Sequence, residues 1–205
     1  GNINQQLTNE IGYDAEATVS PLGDKIVFTS IRSGDLELYT CDIDGSNVKQ
    51  VTNEIGYDGG AFFSNDGKKL VFRASRPKTD EEIAEYKQLL SEGLVKPTQM
   101  EIFVCNVDGS NLRQVTNLGK ANWAPFFHPS DEKIIFCSNH KSKRGFPFNL
   151  YMIDVNGENL KQITFDSQFD SFPMFSNDGK KIVFSSNRNN GGTRNTNLFI
   201  AEWVE

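Results

Sequence analysis

Four polar residues that recur at one place in a repeating sequence are the first candidates for chemistry. Three are carboxylates and one is an amide, and each lies beside an aromatic residue: Asp14, Asp58, Asn122 and Asp170. If the repeats surround an axis, these side chains converge, and converging carboxylates repel one another unless a cation lies between them. Because Ca²⁺ and other hard cations prefer such oxygen ligands, the pattern predicts an axial cation site. In the alternative interpretation, each Asp caps its own turn through backbone N–H groups.

A second group of candidates lies in segments that differ between the repeats and mix basic with aromatic residues. Exposed aromatic side chains often anchor interfaces, so these segments could hold a ligand or a partner, although solvated surface loops have the same composition. We predict a ligand or partner face formed by Trp123, His140, Lys143, Arg144, Phe146, Phe148 and Arg188. A basic residue also recurs at one repeat position, where pairing with the recurring Asp residues is the structural interpretation: Arg32, Arg76, His140 and Arg188.

The sequence shows no catalytic constellation. Its two histidines, His128 and His140, fall on opposite faces of the predicted repeat. It has no Gly-x-Ser-x-Gly nucleophile motif, no cluster of His or Cys ligands and no glycine-rich phosphate loop that opens a helix. Neighbouring carboxylates such as Asp14 and Glu16 can do acid–base work, but carboxylates are common in turns. We therefore expect no enzyme activity.

Composition narrows the classes of function further. The 205 residues suit one all-β domain, and the net charge of −6 argues against a nucleic-acid partner, which usually selects a basic surface. No apolar stretch is long enough to span a membrane, and no segment has the pattern of a signal peptide. Cys41, Cys105 and Cys137 are expected to be buried thiols rather than disulfide partners. We expect a monomer.

The elements that must position these residues follow from a repeat that occurs four times. Each copy has an apolar strand end, a polar turn and then a Lys-apolar-apolar-Phe run, as in residues 176–184. An Asp-Gly or Asn-Gly hairpin then leads to a Gln-apolar-Thr segment in the first three copies. Repeats of about 40–45 residues with four strands are typical of propeller blades. The pattern predicts an all-β propeller of four four-stranded blades, at about residues 14–52, 58–116, 122–164 and 170–205.

The two ends of the repeat pattern complement each other. With the strands of a blade labelled A to D, residues 3–8 read as a strand D without a blade in front. The last copy has a strand C at residues 198–203 and no strand D behind it. We therefore expect residues 3–8 to complete the last blade and close the ring, which would also remove exposed sheet edges. The alternative is that the four blades are part of a larger ring.

The second blade carries an insertion at residues 77–98. Thr79 to Glu82 has the pattern of a capping box, and apolar residues at three- and four-residue spacing predict a helix through Leu90. Gly93 and Pro97 should stop this helix. The helix either packs on its own blade or forms a flap or docking helix beside the channel mouth.

The repeat resembles that of TolB-type propellers. The run Ser-Asn-Asp-Gly-Lys-Lys-Ile-Val-Phe-Ser-Ser-Asn-Arg at residues 176–188 and the Asp-Gly-Ser-Asn…Gln-Val-Thr segments carry the resemblance, which covers essentially the whole chain. It implies mostly periplasmic or secreted interaction modules, often with six or seven blades. Some members of the family stand over the active site of serine peptidases, and some are lyases that act on oligosaccharides.

The residues and the resemblance together predict a non-catalytic binding propeller of the periplasm or the secreted space. Its B–C and D–A loops share one face, which would bind a protein segment or a small polar ligand. Loops on a rigid scaffold are where binding sites usually lie. The alternatives are an accessory or gating propeller of a larger hydrolase, and a carbohydrate-active lyase.

Overall fold

Four antiparallel sheets follow one another along the chain in a computed structural model that describes residues 5–193 and 195–204. Within each sheet, the strands are neighbours in their order along the chain, which is the meander of a propeller blade. The predicted all-β propeller of four blades is confirmed. The first three sheets have four strands each, and the last has three among the described residues.

The strands have the following bounds. Blade one contains β1 (Asp14–Val19), β2 (Lys25–Ser30), β3 (Glu37–Asp42) and β4 (Lys49–Gln50). Blade two contains β5 (Asp58–Phe63), β6 (Lys69–Ser75), β7 (Met100–Asn106) and β8 (Arg113–Gln114). Blade three contains β9 (Asn122–Phe127), β10 (Lys133–Ser138), β11 (Asn149–Asp154) and β12 (Lys161–Gln162). Blade four contains β13 (Asp170–Phe175), β14 (Lys181–Ser186) and β15 (Asn197–Glu202).

Strand B is apolar along its whole centre because both faces of an inner blade are covered. In blade two, Leu70, Val71 and Phe72 are consecutive, so they point to alternate faces, and all three are fully buried. A strand with one solvated face would instead alternate between apolar and polar residues. The Lys-apolar-apolar-Phe run of the sequence is therefore the signature of a sheet packed between two others.

Each blade packs its rear face, which points to the following blade, against the front face of that blade. Val27 and Leu38 on the rear face of blade one contact Phe63, Phe72 and Phe103 on the front face of blade two. The equivalent residues repeat this contact between blades two and three and between blades three and four. Because each buried Leu or Phe contributes about 1.5–3 kcal/mol, these three interfaces hold the blades in place.

Closure of the ring by the N-terminal segment is not found among the described residues. No described residue pairs with the outer edge of β15, and residues 5–8 form no strand. The described part of the N-terminal segment lies on blade one instead, where a Cβ on Gly45 would come within 2.8 Å of the Leu7 carbonyl oxygen. Residues 3 and 4 of the expected strand lie outside the described residues. The described strands of blade four do not contact those of blade one, so the blades form an open arc.

The insertion of blade two contains the predicted helix, α1 (Asp80–Ser91). Thr79 caps it by accepting from the Glu82 N–H, and the Glu82 carboxylate accepts from the Thr79 N–H, as the capping-box pattern predicts. Its Tyr86 is buried and donates to Asp35 in the B–C loop of blade one. The helix therefore does not pack on its own blade alone, because it also joins blade two to blade one.

The three cysteines are buried free thiols, as the sequence predicts. Burial raises the pKa of Cys105 to about 12 and that of Cys137 to about 11, which keeps both thiols protonated and unreactive at neutral pH. Among the described residues, no helix is both long and apolar enough to cross a membrane.

Candidate functional site

The recurring Asp residues pair with the recurring Arg residues of their own blades. Asp58 is fully buried and bonds through both oxygens to the two terminal nitrogens of Arg76, at 2.5 and 3.0 Å. The corresponding pairs in blades one and four are Asp14 with Arg32 at 3.0 Å and Asp170 with Arg188 at 2.5 Å. Each guanidinium also lies over an aromatic ring of its own sheet. The structural interpretation of the basic position is therefore confirmed for these three blades.

Blade three has a neutral version of the same pair. Asn122 stands in the place of the Asp, and its amide donates to Glu101 of blade two and to two backbone carbonyls. His140 stands in the place of the Arg, where its ring packs on Tyr151 and its Nδ1 bonds to Ser138. Burial, together with Lys141 and Lys120, lowers the pKa of His140, so the ring is neutral at pH 7. His140 is thus part of the blade structure rather than a free ligand-binding group.

The four residues predicted to bind an axial cation do not gather into a ligand set. Across the described ranges, no three His, Cys, Asp or Glu side chains lie close enough together to hold a metal ion. The three Asp residues bind arginines through their carboxylate oxygens. The Asn122 amide nitrogen donates to neighbouring backbone carbonyls and to Glu101. The axial cation therefore stays a prediction without geometric support.

A bulge interrupts every strand A at the same place. At this position two residues of strand A lie opposite one residue of strand B, and the first of the two has a positive φ in all four blades: Glu16, Gly60, Ala124 and Phe172. A bulge bends its strand and re-aims a side chain, and non-glycine residues with positive φ are strained. Glu16 and Phe172, the two large residues of this set, both line a central cavity.

This central cavity has a volume of about 600 Å³ and draws on all four blades. Tyr13 comes from blade one, Tyr57 from blade two, Trp123 from blade three and Phe172 from blade four. It opens on the face that carries the D–A and B–C loops, which is the face predicted to bind. Most of its lining is apolar or aromatic, as is usual for a ligand pocket with a few polar groups.

One polar group of three side chains forms the floor of the cavity. Arg73 Nη2 donates to Glu16 at 2.5 Å and to the Tyr57 hydroxyl oxygen at 2.8 Å, and that hydroxyl donates to Glu16 at 2.5 Å. Burial raises the pKa of Tyr57 far above its usual range, so the phenol is a hydrogen-bond donor at every physiological pH. Glu16 also accepts from the Gly60 N–H, whereas Nε and Nη1 of Arg73 have no partner within the described residues. The floor therefore keeps donors available to a ligand.

The insertion of blade two forms the roof of this cavity. Leu90, Val95 and Pro97 line it from above, and the Trp123 indole N–H donates to the Pro97 carbonyl oxygen at 3.0 Å. Trp123 also stacks on Phe148, with 4.7 Å between the ring centroids. The indole is thus held in place from two sides while part of it remains in contact with the cavity.

The remaining residues of the predicted partner face lie on the third B–C loop. Lys143, Arg144 and Phe146 are exposed there, and the Phe146 ring contacts Phe148, on which Trp123 stacks. Phe148 is a correction to the predicted face, because its side chain is buried and supports Trp123 instead of meeting a partner. Arg188 is held by Asp170 and by Asp166 at 4.0 Å, so its charge is already balanced.

Sequence reasoning missed the Arg73 and Tyr57 part of the floor, although one signal was available. Strand B has a small residue at this position in the other three blades: Thr29, Cys137 and Ser185. Arg73 alone is large and charged, and an arginine in an otherwise apolar central strand requires a buried partner. The side chain fits because Gly60 leaves the space, since a Cβ there would lie 2.9 Å from Arg73 Nη1.

Comparison with known proteins shows which propellers this chain is similar to. A model of the TolB beta propeller domain matches residues 94–195. The putative TolB of Agrobacterium tumefaciens shares 19% identity with a TM-score of 0.69 over 93% of this chain and 63% of that chain. TolB of Acinetobacter baumannii shares 21% identity with a TM-score of 0.73 over 96% of this chain and 42% of that chain. The acylaminoacyl peptidase of Pyrococcus horikoshii shares 14% identity with a TM-score of 0.59 over 91% and 30% of the two chains.

These similarities cover only part of the length of the TolB structures. The chain spans 63% and 42% of the length of the two TolB structures, and identities this low show a shared fold. No curated protein sequence matches the chain. The match of the TolB domain model, the four-bladed arc and the likeness to two TolB structures agree with the resemblance seen in the repeat itself. Residues 94–195 therefore carry the repeat of TolB-type β-propellers, and the chain as a whole has the fold of that family.

Proposed function

We propose that this propeller is a non-catalytic binding module that holds an extended protein segment in the central cavity. The observation that carries the proposal is the composition of that cavity. Its walls are aromatic and aliphatic, while Arg73 on its floor has N–H donors without partners among the described residues. An apolar side chain of the segment would pack against these walls, and the carbonyl or carboxylate oxygens of the segment would accept hydrogen bonds from Arg73.

The position of the cavity supports a segment of chain better than an isolated small solute. The third B–C loop continues the surface from Trp123 through Phe148 to the exposed Phe146, and the same loop carries the exposed Lys143 and Arg144. Aromatic and arginine side chains are the residues that dominate binding energy at protein interfaces. The combination favours a partner whose anchor enters the cavity and whose flanking residues are acidic or neutral.

The absence of catalysis and the cellular location are parts of the same proposal. On the floor of the cavity, Arg73 donates to one oxygen of the Glu16 carboxylate, and the Tyr57 hydroxyl and the Gly60 N–H donate to the other. Both oxygens are therefore hydrogen-bonded, which leaves neither free for proton transfer. The family resemblance supports a place in the periplasm or the secreted space. Fractionation of the source cells, with the chain followed by antibody, tests that location.

The test of binding uses peptides and a matched pair of variants. Random octapeptides selected on the immobilised protein are titrated by calorimetry into wild type, Trp123→Ala and Phe165→Ala. Loss of an aromatic anchor should weaken binding about tenfold or more in Trp123→Ala, whereas Phe165, exposed outside the cavity, should be neutral. Urea unfolding of both variants checks that the fold persists. Selected peptides that bind Trp123→Ala as tightly as wild type would contradict the cavity as the binding site.

A further inference from the structure

Blade two lacks a serine that the other three blades share. This serine lies near the end of strand B, opposite the first residue of strand A, and it is buried in each case: Ser30, Ser138 and Ser186. Blade two has Ala74 at this position, opposite Asp58. The Ala74 methyl group is as buried as the three hydroxyls, but it cannot accept a hydrogen bond.

In blades one and four, this serine oxygen accepts from two N–H groups of the recurring arginine. Ser30 Oγ accepts from the main-chain N–H of Arg32 at 3.3 Å and from its Nε–H at 2.9 Å. Ser186 Oγ accepts from the same two groups of Arg188 at 3.1 and 3.0 Å. The serine oxygen is therefore the common acceptor of both donors.

In blade two, the recurring arginine is Arg76, and the same two donors have no acceptor. Asp58 binds its Nη1 and Nη2, and its guanidinium lies 4.8 Å from the centre of the Phe103 ring, so it is held as in blades one and four. Its main-chain N–H and Nε–H have no acceptor among the described residues, because Ala74 has no side-chain oxygen. A partly buried donor without an acceptor is costly, so an oxygen from outside the chain should bind here.

Ala74 and Arg76 both line a second cavity, which we call the lateral cavity. It has a volume of about 360 Å³, which is within the range of ligand pockets. The insertion of blade two separates it from the central cavity, since Leu89 lines the lateral cavity, Leu90 lines the central one and Val95 lines both. A ligand can therefore reach the two donors without entering the central cavity.

The carboxylate of Glu101 faces the same cavity. Glu101 lies directly opposite Ala74 in the pairing of β6 with β7, so the two side chains are neighbours on one face of the sheet. In the described part of the chain, the carboxylate accepts only from neutral groups: the Thr116 hydroxyl, the Gly119 N–H and the Asn122 amide. Its Oε1 accepts from Gly119 alone and can accept a further hydrogen bond.

These charges favour a neutral hydroxyl group over an anion. Asp58 already balances the charge of Arg76, whereas Glu101 has neutral partners, so an anionic ligand would be repelled. A hydroxyl oxygen can accept from both Arg76 donors while its own proton is donated to Glu101. It is also the chemical group that the other blades place at this position.

We propose that the lateral cavity is a second binding site, for a neutral polyhydroxyl compound such as a polyol or a sugar unit. One ligand hydroxyl takes the place of the serine hydroxyl, between Arg76 and Glu101. Leu89 and Val95 contact the carbon skeleton of the ligand. Amide side chains that line the cavity can bind the remaining hydroxyls: Gln99, Gln114 and Asn117. This site is independent of the function proposed for the central cavity.

The experiment restores the serine of the other blades. Ala74→Ser supplies an acceptor for both Arg76 donors within the chain, so it should close the site to a ligand. Glycerol and methyl glucoside are titrated into isotope-labelled protein, and NMR follows the main-chain N–H and Nε–H of Arg76. Both signals should shift and saturate in wild type. Ala74→Ser should weaken binding about tenfold or more, because the ligand loses hydrogen bonds to a charged group.

Ala84→Ser is the matched control, since it makes the same chemical change at an exposed position of α1 outside the cavity lining. It should bind both probes like wild type. Urea unfolding verifies the fold, and Ala74→Ser should be at least as stable as wild type because it satisfies two donors. A lower saturating concentration for the glucoside would assign the site to a sugar, and a lower one for glycerol would assign it to a small polyol.

Three results would overturn the proposal. Arg76 signals that shift with neither probe at molar concentration show that only water binds these donors. Acetate that shifts them where glycerol and the glucoside do not shows that the site takes an anion. Equal binding to wild type and Ala74→Ser shows that the probes bind elsewhere.

Discussion

At the scale of residues, blade three differs from its neighbours by two linked changes. The other blades have an Asp at the start of strand A and an Arg after strand B, and the two are always paired. Blade three has Asn122 and His140 at these positions, and both are neutral. Replacing both members avoids an unpaired buried charge, which is far more costly than a neutral pair. The two positions therefore act as one unit within the repeat.

A prediction for this unit is that Asn122→Asp destabilises the chain and that His140→Arg compensates. The single change places a carboxylate in a fully buried site beside Glu101 with no cation, which should cost about 3 kcal/mol or more. The double variant restores the Asp–Arg pair of the other blades and should recover most of this loss. A double-mutant cycle from urea unfolding measures the coupling. Additive effects of the two changes would contradict the pairing.

Two carboxyl groups meet in the interface between blades one and two. Glu37 accepts from Thr52 at 2.5 Å and lies beside the Asp58 side chain, which Arg76 holds from the other side. Burial, together with the Asp58 carboxylate, raises the pKa of Glu37 to about 8. Burial raises the pKa of Asp58 as well, but the Arg76 guanidinium favours its charged form, so the proton of the pair belongs on Glu37.

The stability of the chain should therefore fall as the pH rises from about 5 to about 8. In this window the unfolded chain has already lost the Glu37 proton while the folded chain still binds it, so the unfolded state binds fewer protons. Glu37→Gln keeps a neutral side chain and should remove this part of the slope. Glu101→Gln in the next interface should keep it, because Glu37 is still present. Urea unfolding across the pH range measures the slope, and equal slopes for wild type and Glu37→Gln would refute the assignment.

At the scale of elements, the insertion of blade two connects blades and covers the cavity. α1 presents Tyr86 and Leu90 to a small apolar cluster with Leu36 of blade one and Trp123 of blade three. The rest of the helix is largely exposed, so its stability depends on its cap and on this one contact. An element held in this way opens at a lower free energy than the sheets.

The cap of α1 should control that opening. Thr79→Ala removes the hydroxyl that accepts from the Glu82 N–H and should cost the helix about 1 kcal/mol. Amide exchange of residues 80–91 should become about fivefold faster, with little change in the sheets. Thr98→Ala, at the exposed far end of the insertion, is the control. Unchanged exchange in the helix would show that the tertiary contact of Tyr86, and not the cap, limits opening.

Elements with local signals are the ones that the sequence predicts well. The bounds of α1 follow from its capping box, and strand B follows from its apolar run, because a few consecutive residues determine each. The Asp–Arg pairs are visible too, since the same spacing recurs in three blades. The contact of Arg73 with Glu16 joins two blades through a bulge, and no local pattern specifies it. The open arc depends on the rotation between successive blades, which only the packed interfaces define.

At the scale of the whole molecule, the chain is a one-dimensional array of blades. Blades two and three each pack on two neighbours, whereas blades one and four each have one packed interface among the described residues. In such arrays stability is close to a sum of repeat and interface contributions, and the terminal repeats open first. Amides of β15 should therefore exchange sooner than those of the inner sheets in a single copy.

Leucine-to-alanine changes at one repeat position test this gradient directly. Leu38→Ala and Leu150→Ala empty sites that are 0% exposed and should each cost about 2–5 kcal/mol in urea unfolding. Leu198→Ala changes the same residue type at the same place in blade four and should cost less than about 0.5 kcal/mol in dilute protein, because surface changes rarely cost more. A large cost in a dilute single copy would mean that blade four is already packed on its rear face, and the arc would not be open.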